Sequence, residues 1–204
     1  SLRAELVVIP NPINDEAITN KVANRRRKVI VGVGRLNKQK NFDLLINSFN
    51  LIKHEFPEYN IEIYGQGPEK QHLLDLIKSL GLNERITLMG TRDKVMETIY
   101  DSSLYVMSSN FEGFPNALIE AMASGLPVIC TDFPTGTANE IIENGKNGYI
   151  VPVGDEEKMS IAMRKILNSN KLQQEMSFEN KKIKETLDKK LIVDKWVNVL
   201  NQYI

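Results

Sequence analysis

The stretch that decides the fold reads Val29-Ile-Val-Gly-Val-Gly34, then Arg-Leu-Asn-Lys-Gln-Lys-Asn41, then a segment with Phe42, Leu45 and Phe49. The first run is apolar throughout, which is typical of a strand buried on both faces of a parallel sheet. The apolar residues after Asn41 recur every three or four positions, which predicts a helix with one apolar stripe. A strand, a loop with glycines and a helix in this order form the basic unit of an α/β sheet.

The same alternation continues outward from this unit. Strands are predicted at residues 6–9, 29–34, 60–64, 86–89, 104–107, 128–131 and 149–151. Helices are predicted at 42–56, around 73–80, at 95–99 and at 116–124, with two or three more in 155–204. Right-handed crossovers then place every loop that follows a strand at one edge of the sheet. The predicted fold class is α/β, a Rossmann-like parallel sheet with helices on both faces.

Composition limits the function classes. The chain has 204 residues, of which 42% are hydrophobic and 25% charged, as in ordinary globular proteins. Lys plus Arg and Asp plus Glu are both 26, and this balance argues against a nucleic-acid partner. We expect a short strand and linker over 1–24, a domain over 25–170, and C-terminal helices over 171–204.

Cysteine and histidine usage argues against a metal cluster. Cys130 is the single cysteine and lies in an apolar run, so we expect a buried, unreactive thiol. His54 and His72 are the two histidines, both within helical patterns, which favours surface or packing roles. The sequence contains no membrane-helix or signal-peptide pattern, so the expected location is the cytoplasm.

Two glycine-containing loops follow predicted strands. In the loop after residue 34, Arg35 and Lys40 supply positive charge and Asn41 can cap the next helix, so either a phosphate site or a tight turn fits. It lacks the third glycine of a dinucleotide fingerprint. Tyr64-Gly-Gln-Gly-Pro68 makes a sharp turn and carries a weaker indication of ligand contact. The basic run 25–28 is either a solvated loop or a docking surface for an anionic lipid or a partner.

The segment 110–128 carries two acids, Glu112 in a loop and Glu120 inside the following helix. Carboxylates accept hydrogen bonds from sugar hydroxyls, and the N–H groups at a helix start attract phosphate. Glu120 as an ordinary exposed helical acid is the competing interpretation. In the loop 132–142, Thr135 or Thr137 can cap the helix that carries Glu140 or can contact a ligand.

Together these segments resemble the C-terminal domain of the GT-B fold glycosyltransferases of family four, which are retaining, metal-independent enzymes that use nucleotide sugars. The resemblance covers roughly residues 7–170. The elements that carry it are Gly34-Arg35-Leu36…Lys40, Gly65-Gln-Gly-Pro68, the Glu112-x7-Glu120 pair with Ala-Ser-Gly-Leu-Pro-Val128, and the Glu140…Gly145…Asn147-Gly148…Asp155 tail.

The resemblance implies a role for each site residue. Arg35 and Lys40 would hold the donor diphosphate, Glu112 the sugar hydroxyls and Glu120 the ribose hydroxyls, with Arg35, Lys40 and Glu112 as the catalytic set. The end of strand 86–90 would contact the base. The remaining donor-binding residues would be Gly34, Gly65, Gly67, Gly90, Gly113, Phe114, Pro115, Asn116, Ala117 and Leu118, the last six through backbone N–H groups. No metal and no cofactor is implied.

The resemblance also implies partners. The donor would be a nucleotide sugar such as a UDP-sugar, and the transferred group a hexose or N-acetylhexosamine. A glycan or lipid-linked acceptor would bind through a separate N-terminal domain, toward which residues 191–200 would present an apolar face. Peripheral association of the full-length protein with the inner face of the membrane is a further expectation. We expect the 204 residues alone to be inactive.

Other functions fit parts of the pattern. A non-catalytic nucleotide-binding module would need Arg35 and Lys40 but not the two acids. A sugar-nucleotide epimerase of similar architecture fits as well. A dinucleotide oxidoreductase is disfavoured because Tyr64-Gly65 stands where an acid is expected.

Overall fold

The computed structural model describes residues 9–201 and contains one six-stranded parallel sheet. Its strands are β1 (Arg27–Val33), β2 (Asn60–Tyr64), β3 (Ile86–Gly90), β4 (Ser102–Met107), β5 (Val128–Asp132) and β6 (Tyr149–Pro152). They lie in the order β3-β2-β1-β4-β5-β6, and every pair is parallel. The Rossmann-like sheet predicted from the alternation of elements is confirmed.

Nine helices accompany the sheet within the described residues. They are α1 (Phe42–Asn50), α2 (Lys70–Ser79), α3 (Val95–Ile99), α4 (Asn116–Ala123), α5 (Thr137–Ile141), α6 (Glu156–Leu167), α7 (Asn170–Lys181), α8 (Ile183–Thr186) and α9 (Lys189–Asn201). One core joins the sheet to α1, α2 and α6, and a second joins it to α3, α4 and α5. Both faces of the sheet are therefore covered, which explains why its central strands are apolar on both sides.

Several boundaries differ from the predictions. The helix predicted to reach residue 56 ends at Asn50 and is followed by turns, and α2 begins at Lys70, three residues before the predicted start near 73. Four helices, not two or three, follow β6. Most of the strand predicted at 6–9 lies outside the described residues. The predicted cap of α1 is confirmed, because the Asn41 side chain accepts a hydrogen bond from the Leu44 N–H at 3.4 Å.

Two predicted side-chain environments are also found. Cys130 is fully buried in the second core, and burial raises the pKa of its thiol. On α9, Leu191, Val193, Trp196 and Leu200 are exposed, whereas Ile192 is buried beside Ile13 and Leu187. No helix within residues 9–201 has the length and apolar character needed to cross a bilayer.

The strand order contains a switch point between β1 and β4. From β1 the chain proceeds outward through β2 to β3, and it then returns to the other side of β1 as β4. The loops that follow β1 and β4 therefore diverge at the carboxyl edge of the sheet and leave a crevice between them. Ligands of open parallel sheets bind at such a crevice.

Close backbone packing joins the loops after β1, β2 and β3. The N–H groups of Gly34 and Leu36 donate to the carbonyls of Tyr64 and Gln66, each at 2.9 Å, and the Gly65 N–H donates to Gly90 at 2.9 Å. A Cβ atom on Gly65 would overlap the carbonyl oxygen of Gly34. The chain needs glycine at position 65 because two backbones meet there without room for a side chain.

Gly65→Ala should lower the free energy of unfolding by about 2–4 kcal/mol, since the new methyl group forces two backbone segments apart at a positive φ. Urea denaturation monitored by circular dichroism measures the change. Gly113→Ala is the matched control, because a Cβ there has no neighbour within 4 Å. Equal midpoints for the two variants would contradict the close approach.

Candidate functional site

An ion pair spans the crevice between the loops after β1 and β4. Lys40 Nζ lies 2.6 Å from Glu112 Oε1, and their side chains are 19% and 9% exposed. Ser109 Oγ donates to the same carboxylate oxygen at 2.6 Å. The second oxygen, Glu112 Oε2, accepts no hydrogen bond from residues 9–201. It therefore remains available to a ligand that carries a hydroxyl group.

Hydrogen bonds between the same two loops fix the position of this pair. The Asn110 N–H donates to Gln39 O at 2.7 Å, and the Gln39 side chain donates back to Phe111 O at 2.9 Å. Ser108 Oγ donates to Lys40 O at 2.9 Å. The stem of Lys40 passes over Gly34, where an added Cβ would meet it at 3.0 Å. The backbone and the ammonium group of Lys40 are thus both held by contacts within the chain.

Residues 113–118 lead into and begin α4, and some of their backbone N–H groups form no hydrogen bond within residues 9–201. The N–H groups of Asn116 and Leu118 donate to Phe114 O and Pro115 O, each at 3.0 Å, and Pro115 has no N–H. Unless this turn rearranges, Pro115, Asn116 and Leu118 therefore cannot serve as the backbone donors that the resemblance implied. The N–H groups of Gly113, Phe114 and Ala117 have no hydrogen-bond partner among residues 9–201, and they can still bind an anion.

Arg35 lies in a different cavity, of about 330 Å³, at the ends of β1 and β2. Gly34, Gly65 and Arg92 share its lining. Arg35 is exposed and forms no ion pair with any described residue. Tyr64 forms part of the wall, and burial together with Glu62 raises the pKa of its phenol to about 12. Two arginines and a neutral phenol therefore face this space.

Gly67 and Gly90, two of the glycines predicted to bind the donor, make close backbone contacts in the same region. Gly67 packs so closely on Leu36 that a Cβ would overlap the Leu36 backbone. Gly90 ends β3 with a φ of 71° and accepts the Gly65 N–H through its carbonyl.

Glu120 lines a third cavity, of about 220 Å³, with Phe114, Asn116 and the segment 11–14. It is half-buried, and burial raises the pKa of its carboxyl above the ordinary value of 4.5. No side-chain hydrogen bond joins it to another described residue. The interpretation of Glu120 as an ordinary exposed helical acid does not fit this environment.

The loop after β5 contacts the site through a threonine. Thr135 Oγ1 donates to Glu112 O at 3.0 Å. The expectation that Thr135 or Thr137 caps α5 is wrong, because Gly136 occupies the cap position and no side chain caps that helix. Glu140 is exposed on α5. Thr135 instead fastens the backbone of the Glu112 loop.

The structure thus brings Lys40 and Glu112 into contact and places Arg35 and Glu120 in separate cavities beside them. Sequence reasoning missed Ser109 and Arg92. Ser109 lies two residues after the predicted strand 104–107 and Arg92 three residues after the predicted strand 86–89, so their position near strand ends was the available indication. Neither residue belongs to a sequence motif that would mark it as a site residue.

The parallel sheet, its switch point and the charged carboxyl edge define a Rossmann-like α/β domain of the GT-B type. The profile of the family described as glycosyl transferases group 1 matches residues 14–183. The chain therefore belongs to the group 1 glycosyltransferase family.

Named relatives agree with this membership. The N-acetylgalactosamine-N,N'-diacetylbacillosaminyl-diphospho-undecaprenol 4-alpha-N-acetylgalactosaminyltransferase of Campylobacter jejuni is 33% identical over 177 residues, covering 85% of the chain and 47% of the relative. A Staphylococcus aureus TarM variant, in complex with fondaparinux, alpha-GlcNAc-glycerol and UDP, superimposes with a TM-score of 0.87 at 26% identity, covering 96% and 39% of the two chains.

The pneumococcal O-GlcNAc transferase GtfA, in complex with UDP and GlcNAc, superimposes with a TM-score of 0.77 at 27% identity. That match covers 95% of the chain and 38% of GtfA. The chain thus spans about half or less of the length of these relatives.

Replacing Glu120 by Gln should stabilise the fold at pH 7. The folded-state pKa of Glu120 is raised by burial, so the ionised carboxylate costs native-state free energy above that pKa. The cost disappears as the pH falls through the raised pKa toward 4.5. Unfolding free energies of parent and Glu120→Gln should differ at pH 7 and converge near pH 4.5.

The exposed acid Glu140 provides the control. The unfolding free energy of Glu140→Gln, measured by urea denaturation over the same pH range, should equal that of the parent. A Glu120→Gln variant less stable than the parent at pH 7 would show that the ionised carboxylate is favoured in the fold.

Proposed function

We propose that this chain is the donor-binding half of a retaining, nucleotide-sugar-dependent glycosyltransferase. The observation that carries the proposal is the Lys40–Glu112 pair at the switch-point crevice, flanked by unpartnered N–H groups at the start of α4. A cation, an acceptor oxygen and backbone donors together match the parts of a sugar diphosphate. Membership of the family supports the same assignment.

The diphosphate requires positive charge. When the bond between the anomeric carbon and the phosphate oxygen breaks, the leaving diphosphate gains negative charge, and cations held nearby stabilise it. Lys40 is held in place by the loops around it, and Arg35 is exposed without an ion-pair partner among residues 9–201. We assign both to the diphosphate, with the N–H groups of Gly113 and Phe114 as additional donors.

The sugar requires hydrogen-bond acceptors. Lys40 and Ser109 both donate to Oε1 of Glu112, so Oε2 is left to accept from a sugar hydroxyl. Glu120, half-buried and without a side-chain partner among the described residues, is assigned to the ribose hydroxyls. A hydroxyl donor would replace part of the hydration that Glu120 loses on burial.

The relatives suggest the classes of donor and acceptor. Both TarM and GtfA are described in complex with UDP, which supports a UDP-sugar as donor. The name of the Campylobacter relative describes N-acetylgalactosamine transfer to a diphospho-undecaprenol glycan, which supports a hexose or N-acetylhexosamine and a glycan or lipid-linked acceptor. A lipid-linked acceptor would bring the full-length protein to the inner face of the membrane.

A second domain would complete the enzyme. We assign residues 25–170 to the donor domain, residues 1–24 to a connection from an acceptor-binding domain, and residues 171–204 to helices that pack toward it. The exposed apolar side chains of α9, Leu191, Trp196 and Leu200 among them, support this arrangement because such surfaces usually mark interfaces.

Calorimetry with UDP and with a panel of UDP-sugars tests the site. Lys40→Ala and Glu120→Ala should each weaken UDP binding by about tenfold or more, the usual loss when a hydrogen bond to a charged group is removed. Glu112→Gln should weaken binding of the UDP-sugar but not of UDP, because it removes a sugar contact and frees Lys40. Lys38→Ala, an exposed lysine of the same loop, is the matched control.

Two results would contradict these roles. Equal loss of UDP and UDP-sugar binding in Glu112→Gln would remove its assignment to the sugar. Unchanged UDP affinity in Glu120→Ala would place the ribose outside the cavity that Glu120 lines.

A polypeptide of these 204 residues should bind the donor and transfer no sugar to added acceptors. Without the acceptor-binding domain the acceptor is not held in position for the reaction. Such orientation supplies on the order of 7–11 kcal/mol of barrier reduction. Incubation with radiolabelled UDP-sugar and lipid-linked glycan, followed by chromatography, measures transfer. Turnover at rates typical of enzymes would show that this half suffices.

A further inference from the structure

A further cavity, of about 500 Å³, opens at the amino-terminal edge of the sheet. It lies between the segment that enters β1 and helix α7, with Ser103 of β4 in its wall. Because the strands are parallel, this edge is the one opposite to the loops that carry Lys40 and Glu112. Its lining holds four cations, Arg25, Arg26, Lys28 and Lys181, and no Asp or Glu.

These cations are only partly compensated. The chain as a whole has equal numbers of acidic and basic residues, so an acid-free cavity is a local departure. Arg26 donates to backbone carbonyls, Ser102 O at 2.7 Å and Gly125 O at 2.6 Å, which hold its guanidinium without a carboxylate contact. Lys28 lies 4.0 Å from Glu58. Arg25 and Lys181 form no ion pair within residues 9–201.

Neutral donors accompany the positive charge. The side chains of Asn24, Gln174 and Ser177 line the cavity and make no hydrogen bond to any described residue. Asn170, the first residue of the twelve-residue helix α7, also lines the cavity, which runs along the side of that helix as far as Lys181. Cations combined with amide and hydroxyl donors recognise phosphate oxygens.

Two protruding apolar side chains flank the cavity. Phe178 in its lining is 67% exposed, and Val22, next to the lining residue Ala23, is 65% exposed. Lys182 Nζ lies 4.8 Å from the centroid of the Phe178 ring. Exposed apolar side chains beside lysines and arginines are typical of surfaces that contact anionic lipid.

We propose that this cavity binds the phosphate group of a second ligand, a phosphate ester distinct from the sugar-nucleotide donor. Arg25 and Lys181 are free to turn toward the ligand, while Arg26 supplies fixed positive charge from the cavity wall. An anionic phospholipid headgroup and a soluble phosphate ester share this chemistry. Val22 and Phe178 would contact only the former.

The test compares Arg25→Ala/Lys181→Ala with Lys70→Ala/Lys78→Ala, which removes two exposed lysines of α2 and gives the same change in net charge. One arm measures sedimentation with vesicles of phosphatidylcholine containing phosphatidylglycerol, against phosphatidylcholine alone. The other measures calorimetric binding of inorganic phosphate and pyrophosphate in chloride buffer. Both arms are run with and without saturating UDP. Phe178→Ser is added to the vesicle arm.

The parent should bind at least one probe, and the cavity variant should bind it about tenfold or more weakly, as expected for losing two cations. The α2 variant should stay within about twofold of the parent. Loss of vesicle binding in Phe178→Ser identifies a lipid headgroup, and phosphate binding without vesicle binding identifies a soluble ester. No binding in either arm, equal loss in both double variants, or displacement of the probe by UDP would overturn the proposal.

Discussion

The contact between Lys40 and Glu112 determines how the charged edge of this domain is arranged. At the switch point of a doubly wound sheet, the loops after the two central strands leave in opposite directions. Here they are drawn together by one ion pair and by reciprocal hydrogen bonds between Gln39 and the segment 110–111. These contacts form the crevice from the chain's own groups, and they fix the positions of Glu112, Ser109 and the segment that leads into α4.

The energetics of this pair favour a role in recognition over one in stability. Both side chains are largely removed from water, so the loss of hydration offsets much of their mutual attraction. What the pair provides is a fixed geometry, since Lys40 and Ser109 both occupy Oε1 and leave Oε2 without a partner among the described residues. A ligand with both an anionic group and a hydroxyl group would bind Lys40 through the anion and Glu112 Oε2 through the hydroxyl.

The sequence was sufficient to predict the fold because its strands are short, largely apolar runs, four of them ending at or adjoining a glycine, and its helices carry clear apolar stripes. Boundaries were less predictable. The turns after Asn50 keep the apolar spacing of a helix but only an interrupted set of its hydrogen bonds, so periodicity could not locate the end of α1. The Lys40–Glu112 contact joins residues 72 positions apart and depends on two loop conformations, which no local pattern specifies.

The placement of Arg35 and Lys40 in separate spaces could not be predicted either, because it also depends on a loop conformation. Arg35 and Lys40 are close in sequence, yet Lys40 turns back over Gly34 toward β4, while Arg35 lines the side toward β2. The resemblance implied that the Asn116 and Leu118 N–H groups bind the donor, but the short turn at Phe114–Pro115 uses both groups. A helix start guarantees free donors only when the preceding turn leaves them unbonded.

Helix α4 links the two ends of the sheet. Its first turn adjoins the crevice, and the turn after its last residue is held by Arg26, which donates to Gly125 O at 2.6 Å and to Ser102 O at 2.7 Å. The Asn180 side chain donates to Leu126 O at 2.7 Å and ties the same turn to α7. The helix that carries Glu120 is therefore fixed at its far end by Arg26, which lines the cavity at the amino-terminal edge of the sheet, and by Asn180 of α7.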